Sequence, residues 1–418
     1  HVENPREEEA GRVRTLTPGG LLLPAAFTGL AKGDGDEGWQ WQKYLVEQRI
    51  QAFPRSVVFN SDATDQNQIS TGAKDDMNFA AVQESAPVAR ALGADVFTLD
   101  DGWQAASGDW QPDSPQHRDP RVDDPTYSGD KAKLAPRFPD ADFVAVREAI
   151  APMDLGLWWT PTSFHPKSKV SQQTPQWACT PTGAAVAASG IPQPDSSSNE
   201  AGIGVWSVDY LPFLEERLTE AIEEWDVKLF KFDFIVWLDC LGANDLYQAH
   251  DAFLALFEKL HAKYPDVAFS IDETNDYRLF PFESTLLGPT WFTNGGPSVA
   301  QVLHNTWSLA PWIPAMSLGQ KVLTGSQRNG SPISTAVAAT LLNQQMVTED
   351  VRPSRRPEWA GIAEQARPWF DWGKANRERY LSGVVYPLLD DPLGGQKWTA
   401  LQSWNPEAGR GALLAFRQ

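Results

Sequence analysis

Apolar positions along the chain recur with two spacings, and these predict alternating strands and helices. Short apolar runs of β type occupy residues 56–60, 96–103, 155–159, 227–233 and 267–273. Between them, apolar residues spaced by about 3.6 positions predict amphipathic helices at 78–93, 140–154, 211–226 and 245–265. This alternation runs from about residue 55 to about residue 380 and predicts an α/β fold with parallel strands.

The run VKLFKFD at 227–233 carries two charged residues on one face. Neighbouring strand residues point to opposite faces, so Lys231 and Asp233 share one face while Phe230 and Phe232 share the other. In a (β/α)8 barrel, chemistry is placed at the carboxyl ends of the strands. A lysine two residues earlier would hold Asp233 ionised as a nucleophile, although a purely structural Lys/Asp pair gives the same pattern.

Two more runs end in residues suited to a binding site. The run at 96–103 ends in Asp100 and Asp101, and a glycine turn then leads to Trp103, which we expect to be exposed. The run at 155–159 has Trp158 near its end.

The run VAFSIDE ends in two further carboxylates. Alternation places Val267, Phe269 and Ile271 toward the helices and Asp272 toward the barrel axis, while Glu273 lies at the loop.

Long connections support a barrel over a flat sheet. The loops at 104–137 and 161–204 exceed thirty residues and are too long to be simple connections. In barrels, such insertions lie over the mouth and shape the access of substrate. A doubly wound sheet would more often show a glycine-rich phosphate turn. We therefore predict a (β/α)8 TIM barrel at 54–385.

Both flanks of the barrel are predicted to be β-rich. Residues 1–53 form an N-terminal segment in which 9–25 resemble the last strands of a β domain. Residues 386–418 begin a C-terminal β domain, with a hairpin at 398–418.

Composition narrows the classes of partner. The 418 residues include 42% hydrophobic residues and 18 tryptophans, enough for a large core. A net charge of −19 disfavours nucleic acid and anionic membranes as partners. No run of 18 apolar residues and no apolar signal core is visible, so no membrane partner is predicted. Localisation stays open between the cytoplasm and secretion from a bacterium.

Metal and cofactor motifs do not occur in the sequence. The six histidines lack the spacing of ligands, and two cysteines, Cys179 and Cys240, make no disulfide framework. Neither a dinucleotide fingerprint nor a phosphate-binding loop occurs. We predict no metal and no cofactor.

Carboxylates at strand ends beside tryptophans are typical of carbohydrate sites. Carboxylates bind sugar hydroxyls, and an indole stacks on the apolar face of a pyranose. Cleavage of a glycosidic bond needs two carboxyl groups. A single tryptophan is nevertheless more often a core residue.

Ordered motifs between about residues 54 and 350 resemble glycoside hydrolase families 36 and 27, which contain α-galactosidases and raffinose-type transferases. The motifs are LDDGW (99–103), GDW (108–110), RFPD (137–140), GLWWTP (156–161), TPQW (174–177) and KFD (231–233). The resemblance implies a retaining mechanism with Asp233 as nucleophile. It further implies that Lys231 contacts the substrate, that Asp100 and Asp101 bind sugar hydroxyls, and that Trp158 walls the subsite.

The chain departs from these families at the general acid/base. Their WTSD motif ends in an aspartate, whereas WFTN here ends in Asn294, which cannot exchange a proton at neutral pH. Pro161 and Thr162 also replace the PE of the family pattern. These changes indicate a divergent branch.

Three interpretations of Asn294 stay open. The acid/base has moved to Asp272, or to Glu273 or Asp276; or Asn294 is an engineered substitution; or the site binds sugar without cleaving it. A carboxylic acid near anionic Asp233 would have a raised pKa, as a proton donor needs. Asp272 beside Arg278 could equally form a structural salt bridge.

Together these features predict an α-galactosidase-like retaining glycosidase acting on an oligosaccharide or glycoside. The alternatives are a non-catalytic carbohydrate-binding barrel and a transferase of the raffinose-synthase type. Barrels of this group often assemble, so a homo-oligomer is compatible with the sequence, although no residue pattern indicates one. The predicted substrate-binding residues are Asp100, Asp101, Trp103, Trp158, Lys231, Arg278 and Asn294.

Overall fold

A computed structural model gives the fold of the chain. It describes residues 37–49, 53–61, 77–123, 125, 134–161, 163–164, 168–174, 177–179, 203–205, 208–233, 243–272, 287–291, 298–323, 330–395 and 398–417.

Eight parallel strands form the central sheet. They are β1 (Val57–Asn60), β2 (Val96–Leu99), β3 (Asp154–Trp159), β4 (Val227–Phe232), β5 (Ala268–Ile271), β6 (Thr290–Trp291), β7 (Leu318–Lys321) and β8 (Gln344–Thr348). Their order is β5-β4-β3-β2-β1-β8-β7-β6, and a parallel bridge between Asp272 and Trp291 joins the two ends. The predicted (β/α)8 barrel is confirmed.

Helices surround the strands. They are α1 (Glu37–Tyr44), α2 (Phe79–Leu92), α3 (Val144–Ile150), α4 (Lys169–Gln173), α5 (Leu211–Glu223), α6 (Ala243–Lys263), α7 (Val299–Leu309), α8 (Ile333–Ala338) and α9 (Trp359–Asn376). Shorter helical turns lie at Leu45–Arg49, Pro120–Val122, Val208–Tyr210, Ala315–Ser317, Arg377–Leu381 and Pro392–Gly394. The four predicted helices are α2, α3, α5 and α6.

Local signals explain where helices begin and end. Asn78 caps α2 because its side chain accepts a 3.0 Å hydrogen bond from the Ala81 N–H. Gly93 ends α2 in the left-handed region, with φ 88°, where glycine is favoured. Helix α3 is shorter than predicted because Ala151, which precedes Pro152, leaves the helical region.

The two faces of the strands separate barrel interior from helical shell. Val58, Val96, Leu229, Ala268 and Met346 are buried in one cluster inside the barrel. On the opposite face of β4 and β5, the rings of Phe230, Phe232 and Phe269 stack on one another. Phe232 and Phe269 also pack against Phe257 of α6. The face assignment made from alternation is therefore confirmed.

Smaller sheets flank the barrel. Strands β9 (Val384–Pro387), β10 (Trp398–Asn405) and β11 (Arg410–Arg417) form an antiparallel sheet. Its β10–β11 pair is the predicted hairpin. A second three-stranded sheet joins Ser163–Phe164, Ala178–Cys179 and Ile203–Val205.

The N-terminal flank is described only in part. Residues 37–49 are helical, and the strands predicted at 9–25 lie outside the described residues. The division at residues 53 and 385 stays a prediction. Over the described ranges, no helix has the length and apolarity needed to cross a bilayer.

Candidate active site

Three strand ends bring charged side chains together at the carboxyl end of the barrel. Asp100 follows β2, Lys231 lies on β4, Asp233 follows β4 and Asp272 follows β5. Trp158 on β3 lies opposite Lys231 in the strand register. Residues from four neighbouring strands thus face one space, as the sequence predicts.

Lys231 is the centre of this group. Its Nζ lies 3.0 Å from Asp100 Oδ2 and 4.0 Å from Asp272 Oδ2, and 4.6 Å from the centre of the Trp291 ring. Burial opposes the charged form, but Asp100, Asp233 and Asp272 outweigh it and raise the pKa of Lys231 above its ordinary value. The ammonium group therefore stays charged across the physiological range.

Asp100 is held as an anion. Asn60 Nδ2 and Lys231 Nζ donate to its Oδ2, and the Asp101 N–H donates to its Oδ1 at 2.7 Å. Burial by itself favours the neutral acid, but the Lys231 charge and these hydrogen bonds lower the pKa of Asp100 below its ordinary value. Asn60, fully buried at the end of β1, is a contributor that the sequence analysis missed.

Asp233 is fixed from the neighbouring strand. Its N–H donates to the Trp159 carbonyl at 3.0 Å, which continues the β3–β4 ladder past the end of β4. Trp158 Nε1 donates to Asp233 Oδ2 at 3.2 Å. The residue is 5% exposed, so its carboxylate is oriented in a largely enclosed space.

Asp272 points inward, as alternation predicts. Its N–H donates to the Phe232 carbonyl at 2.8 Å, and its carboxylate faces Lys231 at 4.0 Å. The side chain has 0% exposure. Asp272 thus shares the same enclosed space as Lys231.

The loop after β2 is tied down by side-chain hydrogen bonds. Gln104 Nε2 donates to Asp101 Oδ1 at 2.7 Å, and Gln104 Oε1 accepts from the Gly102 N–H at 3.1 Å. Arg137 donates to the Gln104 carbonyl at 3.0 Å and to Asp113 Oδ2 at 2.6 Å. Gln104 was not predicted, since a glutamine in a long loop carries no sequence signal.

The expectation that Trp103 is exposed is wrong. Its side chain is fully buried, and its Nε1 donates to the Trp158 carbonyl at 2.7 Å. Gly102, with φ 106°, turns the chain so that Trp103 leaves the barrel mouth. The indole packs outside the strands against other aromatic rings, which are Trp110, Phe143, Trp159 and Trp225. It presents no face on which a sugar could stack.

Several predicted site residues cannot be placed. Glu273, Asp276, Arg278 and Asn294 lie outside the described residues, so their roles stay predictions. Lys321, 5% exposed at the end of β7, is a further cation near the ends of the strands.

A family model identifies the family of the chain. The Melibiase family model matches residues 42–275, more than half of the chain. The chain belongs to the Melibiase family. Among similar proteins, a probable α-galactosidase C of Aspergillus terreus is 22% identical over 428 residues, covering 96% of this chain and 52% of that protein.

Solved structures share the fold of this Melibiase chain at low identity. The α-galactosidase from Lactobacillus brevis superposes with a TM-score of 0.64 at 16% identity, covering 89% of this chain and 48% of the other. A family GH36 α-galactosidase from Geobacillus stearothermophilus in complex with raffinose gives 0.63 at 14% identity, covering 88% and 49%. The chain spans about half the length of the relatives that it matches.

Proposed function

We propose that the chain hydrolyses α-linked galactosides with retention of configuration, using Asp233 as nucleophile. The observation that carries this proposal is the position of Asp233: it follows a barrel strand, accepts a hydrogen bond from Trp158 and lies two residues from buried Lys231. A carboxylate so oriented can approach an anomeric carbon directly.

The reaction has two displacements. The Asp233 carboxylate attacks the anomeric carbon, the bond from that carbon to the leaving oxygen breaks, and a carboxylic acid gives that oxygen a proton. The same acid, now a carboxylate, then takes a proton from water. The resulting hydroxide attacks the anomeric carbon and releases Asp233.

The position of Asp272 favours it as the proton donor. Its side chain is fully buried, and its carboxylate faces the space around Lys231 from the end of β5, the strand next to the one that Asp233 follows. Asp100 does not hold that proton, because its pKa is lowered. Asp272 lies 4.0 Å from Lys231 Nζ, farther than Asp100 at 3.0 Å, and is the candidate we prefer; Glu273 and Asp276 are the alternatives.

The substrate class follows from the relatives and from the hydroxyl-binding groups. The Geobacillus relative binds raffinose, an oligosaccharide with an α-galactosyl end. Asp100 is a fixed anion that can accept hydrogen bonds from sugar hydroxyls. Asp101 follows it in the sequence, and Trp158 lies beside it on the neighbouring strand β3.

Para-nitrophenyl α-glycosides and raffinose-type oligosaccharides test the proposal on the wild type, on Asp233→Asn and on Asp226→Asn. Asp226 precedes the same strand, is exposed and has a left-handed φ of 56° that asparagine tolerates, so it is a matched control. We expect Asp233→Asn alone to lose turnover. More than a few per cent of residual rate would contradict the assignment.

A second variant separates the acid from the nucleophile. Asp272→Asn should abolish cleavage of natural oligosaccharides but spare the first step on aryl glycosides, whose leaving groups need no proton. Added azide should then restore turnover and give a glycosyl azide of retained configuration. Equal loss on both substrates would move the role to Glu273 or Asp276. Sugar binding by calorimetry without any cleavage by the wild type would favour the non-catalytic interpretation.

A further inference from the structure

A second cavity lies at the opposite end of the barrel from the candidate active site. Its volume is about 690 Å³, and its wall includes residues that precede β1, β2, β6 and β7, such as Phe53 and Asp95. Helix α1 and the carboxyl end of α9 close it from the side through Lys43 and Lys374. The volume falls within the range of small-molecule sites, roughly 300–1,000 Å³.

Two of the cations that line the cavity already have carboxylate partners. Lys43 binds Glu407 and lies 3.7 Å from Glu47. Lys374 binds Asp95 Oδ1 and also donates to the Gly93 carbonyl. These lysines therefore have little capacity left for a ligand.

Arg377 differs from these lysines. Its guanidinium makes two long hydrogen bonds, 3.4 Å to the Asn343 carbonyl and 3.5 Å to Gln344 Oε1. Among the described residues no carboxylate lies within ion-pair distance of it. Burial lowers the pKa of Arg377 to about 10, and the charge of Asp95 offsets only part of this effect.

Asp95 is engaged elsewhere and forms no ion pair with Arg377. Its Oδ1 accepts from Lys374, and its Oδ2 accepts from the N–H groups of Ser56 and Val57 at 2.8 and 2.9 Å. The guanidinium has five donors in a planar fork, and most of them are unused. The guanidinium is half-buried, and its unused donors can bind the oxygens of an oxyanion that reaches it.

Two further observations concern the surroundings of Arg377 and the cavity wall. Gln344, fully buried beside Arg377, has an Nε2 with no hydrogen-bond partner, so a second donor next to the guanidinium is unsatisfied. In the described part of the chain, both π-helical turns, Leu45–Arg49 and Arg377–Leu381, contribute residues to the cavity wall. Such turns are frequent at functional sites.

We propose that this cavity binds a small organic anion whose carboxylate or phosphate group is held by Arg377. A planar guanidinium binds two oxygens of either group at once. Apolar wall residues, including Phe53 and Met316, suit the body of such a molecule. The site is separate from the glycosidase proposal and does not depend on it.

Thermal unfolding with inorganic phosphate, with citrate and with sodium chloride of equal ionic strength tests the site. The proteins are the wild type, Arg377→Gln and Arg367→Gln, a control on the preceding helix α9 whose partner is Asp371. For the wild type and the control we expect Tm to rise by roughly 2–5 °C with phosphate or citrate over chloride. Arg377→Gln should show no such rise while keeping kcat/KM for glycosides.

Two outcomes of the unfolding experiment overturn the proposal. No rise in the wild type, or an equal rise in all three proteins, would mean that Arg377 holds no anion. If Arg377→Gln does not fold, wild-type crystals soaked in phosphate test the site instead. The proposal then requires electron density for phosphate at hydrogen-bond distance from the Arg377 guanidinium, and its absence overturns the proposal. Comparison of the Tm shifts in phosphate and in citrate also shows which oxyanion the cavity prefers. Arg377→Lys should weaken binding about tenfold, because an ammonium group cannot bind two oxygens of the anion as a planar guanidinium does.

Discussion

Trp158 Nε1 donates a 3.2 Å hydrogen bond to Asp233 Oδ2, which ties the carboxylate after β4 to the neighbouring strand β3. The backbone makes a second tie, from the Asp233 N–H to the Trp159 carbonyl at 3.0 Å. The indole therefore does more than line this space: it orients one oxygen of the proposed nucleophile.

We expect Trp158→Phe to lower kcat while the fold is kept. Phenylalanine preserves an aromatic wall but cannot donate to Asp233. A hydrogen bond to a charged group contributes about 1.5–3 kcal/mol, so kcat on raffinose-type substrates should fall by roughly 10- to 100-fold. Steady-state kinetics beside circular dichroism would measure this.

Trp159→Phe is the matched control, one residue along the same strand. The Trp159 indole points to the helical shell, stacks on Trp110 at 4.5 Å and has an Nε1 without a hydrogen-bond partner. We expect lower stability and an unchanged kcat. Equal kinetic losses in both variants would argue against an orienting role for Trp158.

Lys231→Met should damage both stability and catalysis. It removes an ammonium group that interacts with Asp100, Asp233 and Asp272 and so leaves buried carboxylates less compensated. Breaking a buried pair in this way costs about 3–5 kcal/mol, which urea unfolding can measure. Lys228→Met, on the same strand and bound to exposed Asp226, should change stability by less than about 1 kcal/mol. Similar losses in the two variants would show that Lys231 is not the electrostatic centre.

The alternation of side chains along β4 and β5 made the centre of the site predictable. Bulky Phe230, Phe232 and Phe269 must pack under helices, which forces Lys231 and Asp272 inward. A strand has only two faces, so this inference needs no tertiary information.

Other parts of the site depend on contacts that leave no local pattern. Strand β6 has only two residues, and it is recognisable only through its pairing with β7 and the Asp272–Trp291 bridge. Trp103 was misjudged because a single positive-φ glycine, Gly102, reverses the direction of the following side chain. The contact of Asn60 with Asp100 joins residues forty positions apart, and nothing in either local sequence indicates it.

The lowered pKa of Asp100 predicts how its contribution to stability depends on pH. A carboxyl group whose folded pKa lies below its ordinary value of 3.8 stabilises the fold above that value, and the contribution is lost as pH falls through the folded pKa. The Tm difference between wild type and Asp100→Asn should therefore be constant from pH 7 to about 5 and shrink toward pH 3. A difference that stays constant down to pH 3 would show that Asp100 is not held as an anion.

Gly156→Ala should destabilise the barrel, because a Cβ at this position would lie 2.5 Å from Thr98 Oγ1 and 3.1 Å from Val96 Cγ1. Thr98 is β-branched and buried, so it has little room to move, and overpacking of this kind costs about 1–3 kcal/mol. Gly361→Ala is the matched control: nothing lies within 4 Å of its added Cβ, and alanine at this exposed position of α9 should stabilise by up to about 1 kcal/mol. Urea unfolding measures the change in the free energy of unfolding for each variant, and we expect the two changes to have opposite signs. If Gly156→Ala were neutral, the close approach of β2 and β3 on the inner face of the barrel would be wrong.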